Sequence, residues 1–526
     1  MVYTISKYQQ AIFDWITNGK GNAVIQAVAG SGKTTTIVQA TNLIPSNQKC
    51  VFVAFNKAIA DELRDRLPRH IEARTLHSLG FSFFKSNGYN TELDTNKVHN
   101  LIESELEEMD FDLRKDYYLN LRKLIPLIKN TLIDYTKLEQ IEDIKGKYNI
   151  DFETDDRYMI AIRRIMEKNN ANTAIIDFDD MIYLPVVNKF SNGIYDWVLV
   201  DESQDLNRTQ FELIRKICDK HTRVIAVGDT HQSIYSFRGA DTNSMDNFRS
   251  EFNAVELPLS ICYRCPKSHI VLAKEIVPEI EAATDAKEGV IDYIDLSVAL
   301  DKADDNDKDL VLCRTNAPLI KVAFSLIRSG KKAIIRGRDI GANLIKLIEK
   351  YKAKDLGDLY LKLNNYRNLQ QGKLELIEKG KYDNKKKGSI LTNIDSVDTI
   401  VAIMEDCDSI EQVKIKIESI FSDNKEGIIC SSVHRAKGLQ ANSVFIINRD
   451  RMPHPMAHTE EELEQEDNIL YVALTRSKAN LYFINEILWG ERIGRVDRNG
   501  ETKAPGNDKR RPCAMDRSRG RETQVC

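Results

Sequence analysis

The segment Ala27-Val-Ala-Gly-Ser-Gly-Lys-Thr34 closes an apolar run, Ala23-Val-Ile-Gln-Ala-Val28, and opens a helix-forming stretch. A Gly-rich turn between a strand and a helix has few uses. Gly30 and Gly32 let the backbone curl until its N–H groups point at one place, which suits phosphate oxygens. Lys33 then reaches the outer phosphates, the Thr34 hydroxyl holds Mg²⁺, and the helix adds its positive end. The pattern is a P-loop with Ala27 in place of its first glycine. A lone Gly-Lys-Thr would also suit a simple helix cap, but an acidic partner lies downstream. Trp197-Val-Leu-Val-Asp-Glu202 is an apolar strand ending in two carboxylates, at the sheet edge where α/β proteins bind ligands. Asp201 is expected to hold the Mg²⁺ of a nucleotide, and Glu202 to polarise the attacking water. The residues read as a site for ATP hydrolysis.

The rest of the chain has room for more than one such unit. With 526 residues it has the length of roughly three or four domains. Strand-like runs alternate with helical ones, at Ala23–Val28, Val51–Phe55, Trp197–Val200 and Arg223–Val227, which predicts an α/β fold with a parallel sheet. A second set follows at Asp309–Cys313, Lys332–Ile335, Gly427–Cys430, Val444–Ile447 and Leu481–Ile484. The first α/β unit is predicted over residues 1–87 and 171–254, with a helical insertion at 88–170. The second is predicted over 255–340 and 425–490, with a helical insertion at 341–424. Residues 491–526 read as a basic, disordered tail. Lys plus Arg number 75 against 79 Asp plus Glu, a net charge of −4 that still allows a basic groove on an acidic body. No apolar run approaches the ~20 residues of a membrane span, so no membrane partner is expected. Met1-Val-Tyr-Thr-Ile-Ser6 lacks the basic and apolar regions of an export signal. Nine scattered cysteines do not make a disulfide scaffold. A cytoplasmic protein is expected, or a nuclear one in a eukaryote.

Further motifs occur in a fixed order: Ser6-Lys-Tyr-Gln-Gln-Ala-Ile12, Ala54-Phe-Asn-Lys-Ala58, Arg74-Thr-Leu-His-Ser78, Asp201-Glu-Ser-Gln-Asp205 and Gly228-Asp-Thr-His-Gln-Ser-Ile-Tyr-Ser-Phe-Arg-Gly-Ala240. After these come Leu259-Ser-Ile-Cys-Tyr-Arg264, Ser432-Val-His-Arg-Ala-Lys-Gly-Leu-Gln440 and Asn468-Ile-Leu-Tyr-Val-Ala-Leu-Thr-Arg-Ser-Lys478. Their order and spelling resemble the UvrD/Rep/PcrA family of superfamily 1A helicases, from the N-terminus to about Ile484. The resemblance implies two RecA-like P-loop domains, 1A and 2A, carrying compact helical insertions 1B and 2B. It implies ATP and Mg²⁺ as cofactors, with Gln9 reading adenine, Tyr263 stacking on it, and Ala29, Gly30, Ser31, Gly32, Lys33, Thr34 and Thr35 around the phosphates. Gly438 and Gln440 would lie near the ribose, and Gln232, Arg264 and Arg476 would converge on the γ-phosphate. Phe55, Asn56, Thr75, His77, Tyr235, Phe237, Arg238 and His434 would follow single-stranded DNA, whose bases stack on aromatic faces.

The implied activity is 3′→5′ movement on single-stranded DNA with duplex unwinding, acting at junctions of single and double strands, with a protein loading partner a further expectation. A translocase or an ATP-state switch with little unwinding of its own is the alternative. The chain departs from the family's usual spelling in three places. Ala54 stands where an aromatic is common, and Phe55-Asn-Lys is closer to the F-box DNA helicases. Thr35 replaces an arginine, and Gln440 replaces a glutamate at the ribose. Two further signals carry less. Cys262-Tyr-Arg-Cys265 has metal-like spacing but no second cysteine pair at zinc-finger distance. Asp177-Phe-Asp-Asp180 suits a helix cap or a solvated turn better than a cation site.

Overall fold

The computed structural model describes residues 5–484 apart from 149, 151, 235–242, 380–381, 383–386, 406, 423–425, 455–456 and 458. The predicted tail lies outside these residues. Six parallel strands make the first sheet: β1 (Ala23–Ala27), β2 (Cys50–Ala54), β3 (Ile71–Thr75), β4 (Trp197–Val200), β5 (Arg223–Gly228) and β6 (Val255–Leu259). Their order is β3-β2-β4-β5-β1-β6. β2 and β4 are buried along their whole length, as strands covered on both faces must be. Helix α1 (Lys7–Asn18) starts with a Ser6–Gln9 capping box and turns Gln9, Ile12 and Ile16 inward. The P-loop leads into α2 (Lys33–Thr41), while α3 (Lys57–Arg66) and α4 (Leu76–Ser86) follow β2 and β3.

The seven strands of the second sheet are β7 (Val290–Ile294), β8 (Leu310–Cys313), β9 (Ala333–Arg336), β10 (Phe421–Ser422), β11 (Ile428–Ser432), β12 (Ala441–Ile447) and β13 (Ser477–Ile484). They run parallel in the order β7-β13-β12-β8-β11-β9-β10. The two-sheet α/β architecture is as expected, with one change at the join. Val255–Leu259 does not begin the second unit. It pairs with β1, from Ala23 opposite Val255 to Ala27 opposite Leu259, and forms the edge of the first sheet. The edge strands β3 and β7 were also absent from the sequence reading. An edge strand covers less apolar surface, so β7 leaves Val290, Asp292 and Tyr293 exposed.

Two helical segments interrupt the sheets. In the first, Lys97–Glu105, Phe111–Thr131, Leu138–Lys147 and Asp156–Ala171 share one apolar core with β2, β4 and α4. Two buried lysines fasten this insertion. Lys97 Nζ reaches Asp180 Oδ2 at 2.7 Å, and Lys129 Nζ lies 2.8 Å from both Asp177 and Asp180. The Asp177–Asp180 segment caps its helix, as Asp180 N–H donates to Asp177 Oδ1 at 2.7 Å. It is not solvated at those two carboxylates, whose counter-charges are the two ammonium groups. The second insertion contains Arg338–Lys350, Leu356–Glu378, Lys387–Met404 and Ile410–Ile420. No helix among the described residues is long and apolar enough to cross a membrane.

Candidate active site between the two sheets

All six strands of the first sheet are parallel, so the loops after β1, β4 and β5 open on one edge. The loop after β1 carries Gly30 at φ +70° and Gly32 at φ +76°, left-handed conformations that a side chain would strain. Ala29 and Ser31 are buried, and the Ser31 hydroxyl has no protein partner among the described residues. A buried orphan hydroxyl in a glycine-rich turn at the start of a helix fits an anionic ligand. Thr34 Oγ1 donates to Asp201 Oδ2 at 2.8 Å. Among the described residues no three His, Cys, Asp or Glu side chains gather as a metal cage. One hydroxyl and one carboxylate suit Mg²⁺, which is commonly held by few protein oxygens together with phosphates and water.

Burial, with the neighbouring Glu202 charge, raises the Asp201 carboxyl to about 6. Glu202 moves the other way. Burial alone would raise it, but the charges of Lys33 and Lys437, the Gln204 amide and Arg476 hold it below its usual range. The two adjacent carboxylates are thus shifted in opposite directions, Asp201 by burial and Glu202 by the cations around it. Glu202 also sits at φ +50°, a strained conformation for a side-chain-bearing residue. Gln204 Nε2 fixes its carboxylate at 2.6 Å.

Residues from beyond the first sheet close the cleft. Arg476 is 1% exposed and reaches Gln232 Oε1 at 3.3 Å. Burial and the nearby Arg264 lower its pKa to about 10, so it remains a cation. Arg264 Nη1 donates to the Thr475 carbonyl at 3.0 Å, beside Arg476. Arg264 belongs to the segment linking the two sheets, where Tyr263 N–H donates to the Gly30 carbonyl at 2.9 Å. Tyr263 itself is exposed. Gln9 is buried, and its amide caps α1 and donates to Thr36 of α2 at 3.1 Å. Thr35, Gly438 and Gln440 are exposed, and Gly438 has φ +83°.

Four residues of this network, Lys437, Asp205, Tyr471 and Asp229, lie within the quoted motifs with no role assigned to them from sequence. Lys437 Nζ meets Asp205 at 2.6 and 2.8 Å and the Gln232 carbonyl at 2.6 Å. Tyr471, on the helix Glu460–Leu474, is fully buried; its hydroxyl accepts from Ala29 N–H at 2.8 Å and lies 3.4 Å from Asp229 Oδ2. Gln232 Nε2 meets that same Asp229 oxygen at 2.5 Å. The path runs from P-loop backbone to Tyr471, Asp229, Gln232 and Arg476. Only the motif spelling hinted at it, since the contacts join residues hundreds of positions apart.

The expected DNA residues cluster in part. β2 and β3 are neighbours with Ala54 opposite Thr75, so Phe55, Asn56, Thr75 and His77 share one stretch of sheet edge. Phe55 is half exposed, while Asn56 and Thr75 cap α3 and α4. Burial lowers the His77 pKa, which favours the neutral ring, and that ring meets exposed Phe178 edge-on at 6.2 Å. Phe178 adds a second exposed aromatic to this edge, within the Asp177–Asp180 segment for which a helix cap or a solvated turn is expected from sequence. His434 stands on the turn Val433–Ala436 after β11. Tyr235, Phe237 and Arg238 lie outside the described residues.

Two parallel sheets with a P-loop, a Walker-type Asp-Glu pair and arginines gathered over it define a P-loop nucleotide-hydrolase class. The UvrD/REP helicase N-terminal domain family matches residues 8–253, and the UvrD-like helicase C-terminal domain family matches residues 147–486. The chain belongs to the UvrD-like helicase family. It is 24% identical to a probable DNA helicase II homolog of Mycoplasma genitalium, across 90% of this chain and 84% of that protein. It is 22% identical to the ATP-dependent DNA helicase PcrA of Bacillus subtilis, across 92% of this chain and 83% of that protein. The ATP-dependent DNA helicase Rep of Buchnera aphidicola subsp. Acyrthosiphon pisum is 30% identical over 45% of this chain and 39% of its own length. Among solved structures, an arterivirus nonstructural protein 10 helicase aligns with a TM-score of 0.32 and 11% identity, covering 91% of this chain and 61% of that one, a likeness too slight to bear on the fold.

Proposed function

We propose that this protein is an ATP-dependent DNA helicase that moves 3′→5′ along single-stranded DNA and separates the duplex ahead of it. The observation that carries the reading is the joining of the P-loop to Tyr471 and Arg264, and of Asp205 and Gln232 beyond β4 and β5 to Lys437 and Arg476. Membership of a family whose relatives include PcrA and Rep supports DNA as the substrate.

In this reading Lys33 and the P-loop N–H groups hold the phosphates, and Thr34 with Asp201 hold Mg²⁺, which neutralises charge on the phosphate oxygens. Glu202 orients the attacking water. Gln232, Arg264 and Arg476 stabilise charge on the transferring phosphoryl group, which fixed cationic donors do best. Tyr263 covers the adenine, Gln9 steadies the adjoining helix, and Gly438 and Gln440 lie at the sugar. Loss of the γ-phosphate loosens the contacts that hold the cleft closed, and the two sheets shift along the DNA. Phe55, His77 and Phe178 supply part of the track at the first sheet's edge, and Tyr235, Phe237, Arg238 and His434 complete it. Junctions of single and double strands are the working substrate.

The test is ATP-driven strand separation on duplexes with a 3′ or a 5′ single-stranded tail, with Lys33→Ala as the blank. Unwinding confined to the 3′ tail is expected. Unwinding from the 5′ tail alone would refute the polarity, and ATP turnover that DNA fails to stimulate would refute the motor.

A further inference from the structure

Cys262-Tyr-Arg-Cys265 has no partner cysteines for a zinc site, yet the structure sets its two thiols beneath the P-loop. Cys262 ends the short strand Ile261–Cys262, and Cys265-Pro266 leads into the helix Lys267–Ala273. Both side chains are buried, in one apolar cluster with Val28, Ala29 and Tyr471. Cys265 N–H donates to Cys262 Sγ at 3.4 Å. The Cys265 thiol faces the Thr475 carbonyl at 3.6 Å, the oxygen that also receives Arg264 Nη1 at 3.0 Å. There is no slack above this turn. A Cβ added to Gly30 would lie 2.9 Å from Cys262 Sγ and 2.7 Å from Arg264 Cβ.

The thiols of the chain are not equivalent. Burial pushes Cys218 and Cys430 up to about 12 and Cys313 to about 11, and it raises Cys50 as well. Cys262 goes down to about 7, first through a hydrogen bond from the Cys265 thiol and then, against burial, through the N–H groups of Cys265 and Arg264. A thiolate next to a second thiol, two residues on in a strand-to-helix turn, is the arrangement in which disulfides open and close.

We propose that Cys262 and Cys265 form a thiol–disulfide modification site whose closure displaces Arg264 and halts ATP turnover. The Cys262 thiolate attacks one sulfur of a small-molecule disulfide, forms a mixed disulfide and expels the first thiolate. Cys265 loses its proton and attacks Cys262 Sγ, which releases the second thiolate and leaves the intramolecular bond. Two protein thiols are oxidised, one disulfide is reduced to two thiols, and the two protons leave with them. The new bond draws Cys265 away from the Thr475 carbonyl and tightens the turn that carries Tyr263 and Arg264. The effect on turnover rests on the hydrolase reading above; the bond itself does not.

The experiment treats the full chain with oxidised glutathione, alkylates the remaining thiols and maps the peptides by mass. ATP turnover on single-stranded DNA is measured before treatment, after it, and after dithiothreitol. A bridged Cys262–Cys265 peptide is expected. Turnover should fall on the order of a hundredfold, the cost of one misplaced cationic donor, and recover on reduction. Cys262→Ser and Cys262→Ala, each active in reductant, should both lose this sensitivity, because neither can form the first mixed disulfide. Absence of the bridged peptide, while other cysteines gain glutathione, overturns the site. A bridged peptide with unchanged turnover overturns the switch, as does inactivation that persists in both variants. A reduced chain that never hydrolyses ATP would sink the hydrolase reading and still leave the bridged peptide to score the site.

Discussion

Tyr471→Phe isolates the link between the P-loop and the residues that close over it. The ring is fully buried and its shape is kept, so the substitution removes one oxygen and little packing. That oxygen accepts from Ala29 N–H at 2.8 Å and lies 3.4 Å from Asp229 Oδ2. The change strands a buried backbone donor, which costs ~1–3 kcal/mol, and the second, longer contact adds toward the lower end. A total of about 2 kcal/mol is expected. The affected path ends at Gln232 and Arg476, which face the reacting phosphate in the proposed mechanism, so the loss should fall on the transition state. At ~1.4 kcal/mol per tenfold, kcat for DNA-stimulated ATP hydrolysis should drop roughly 10- to 30-fold, with KM for ATP changed far less. Steady-state turnover on saturating single-stranded DNA measures this, and a thermal melt controls for folding. Asp229→Asn should cost less in the Tyr471→Phe background than in the parent chain, because both act on one path. A kcat within about twofold of the parent, or fully additive effects of the two changes, would refute the coupling.

The remaining predictions concern the charges around the cleft and the first insertion. Lys437→Met leaves Asp205 buried without its ammonium; a loss of up to ~3–5 kcal/mol is expected, moderated because burial raises Asp205 to about 6 and lets it take up a proton. Adding Asp205→Asn should restore part of the melting temperature, and failure to do so would break the pairing argument. Asp201, raised to about 6, must be ionised to hold Mg²⁺. Its carboxylate is present above that pH and lost below it, so turnover at limiting Mg²⁺ should fall about tenfold per pH unit below 6 and recover with added Mg²⁺. A flat profile down to about pH 5 would contradict this assignment. Glu202→Gln should retain ATP binding in a filter or fluorescence assay while turnover is lost by at least ~100-fold. Lys129→Met removes a fully buried cation from Asp177 and Asp180, and a melt should show ~3–5 kcal/mol of lost stability in the first insertion, with an unchanged melt counting against the ion cluster.

The sequence by itself determined the elements that rely on local chemistry. The strand-turn-helix at Ala23–Thr41 needs only an apolar run, two glycines and a helix-forming stretch, and the apolar strand ending in Asp201-Glu202 was equally plain. The helical insertions were legible because periodicity changes when a sheet gives way to helices. Edge strands were not legible, since β3, β6 and β7 lack the continuous apolar run of a central strand. What only the tertiary structure decided is how distant charges answer one another. Nothing local marks Lys97 or Lys129 for burial; the fold places them against Asp177 and Asp180. Lys437 and Asp205 stand 232 positions apart and Tyr471 and Ala29 442 apart, yet each pair shares a hydrogen bond. Local pattern reports which side chains a strand or helix buries. It carries no record of which element will be packed on that face, and at this cleft the partners set the protonation, the strain and the reach of the groups that act.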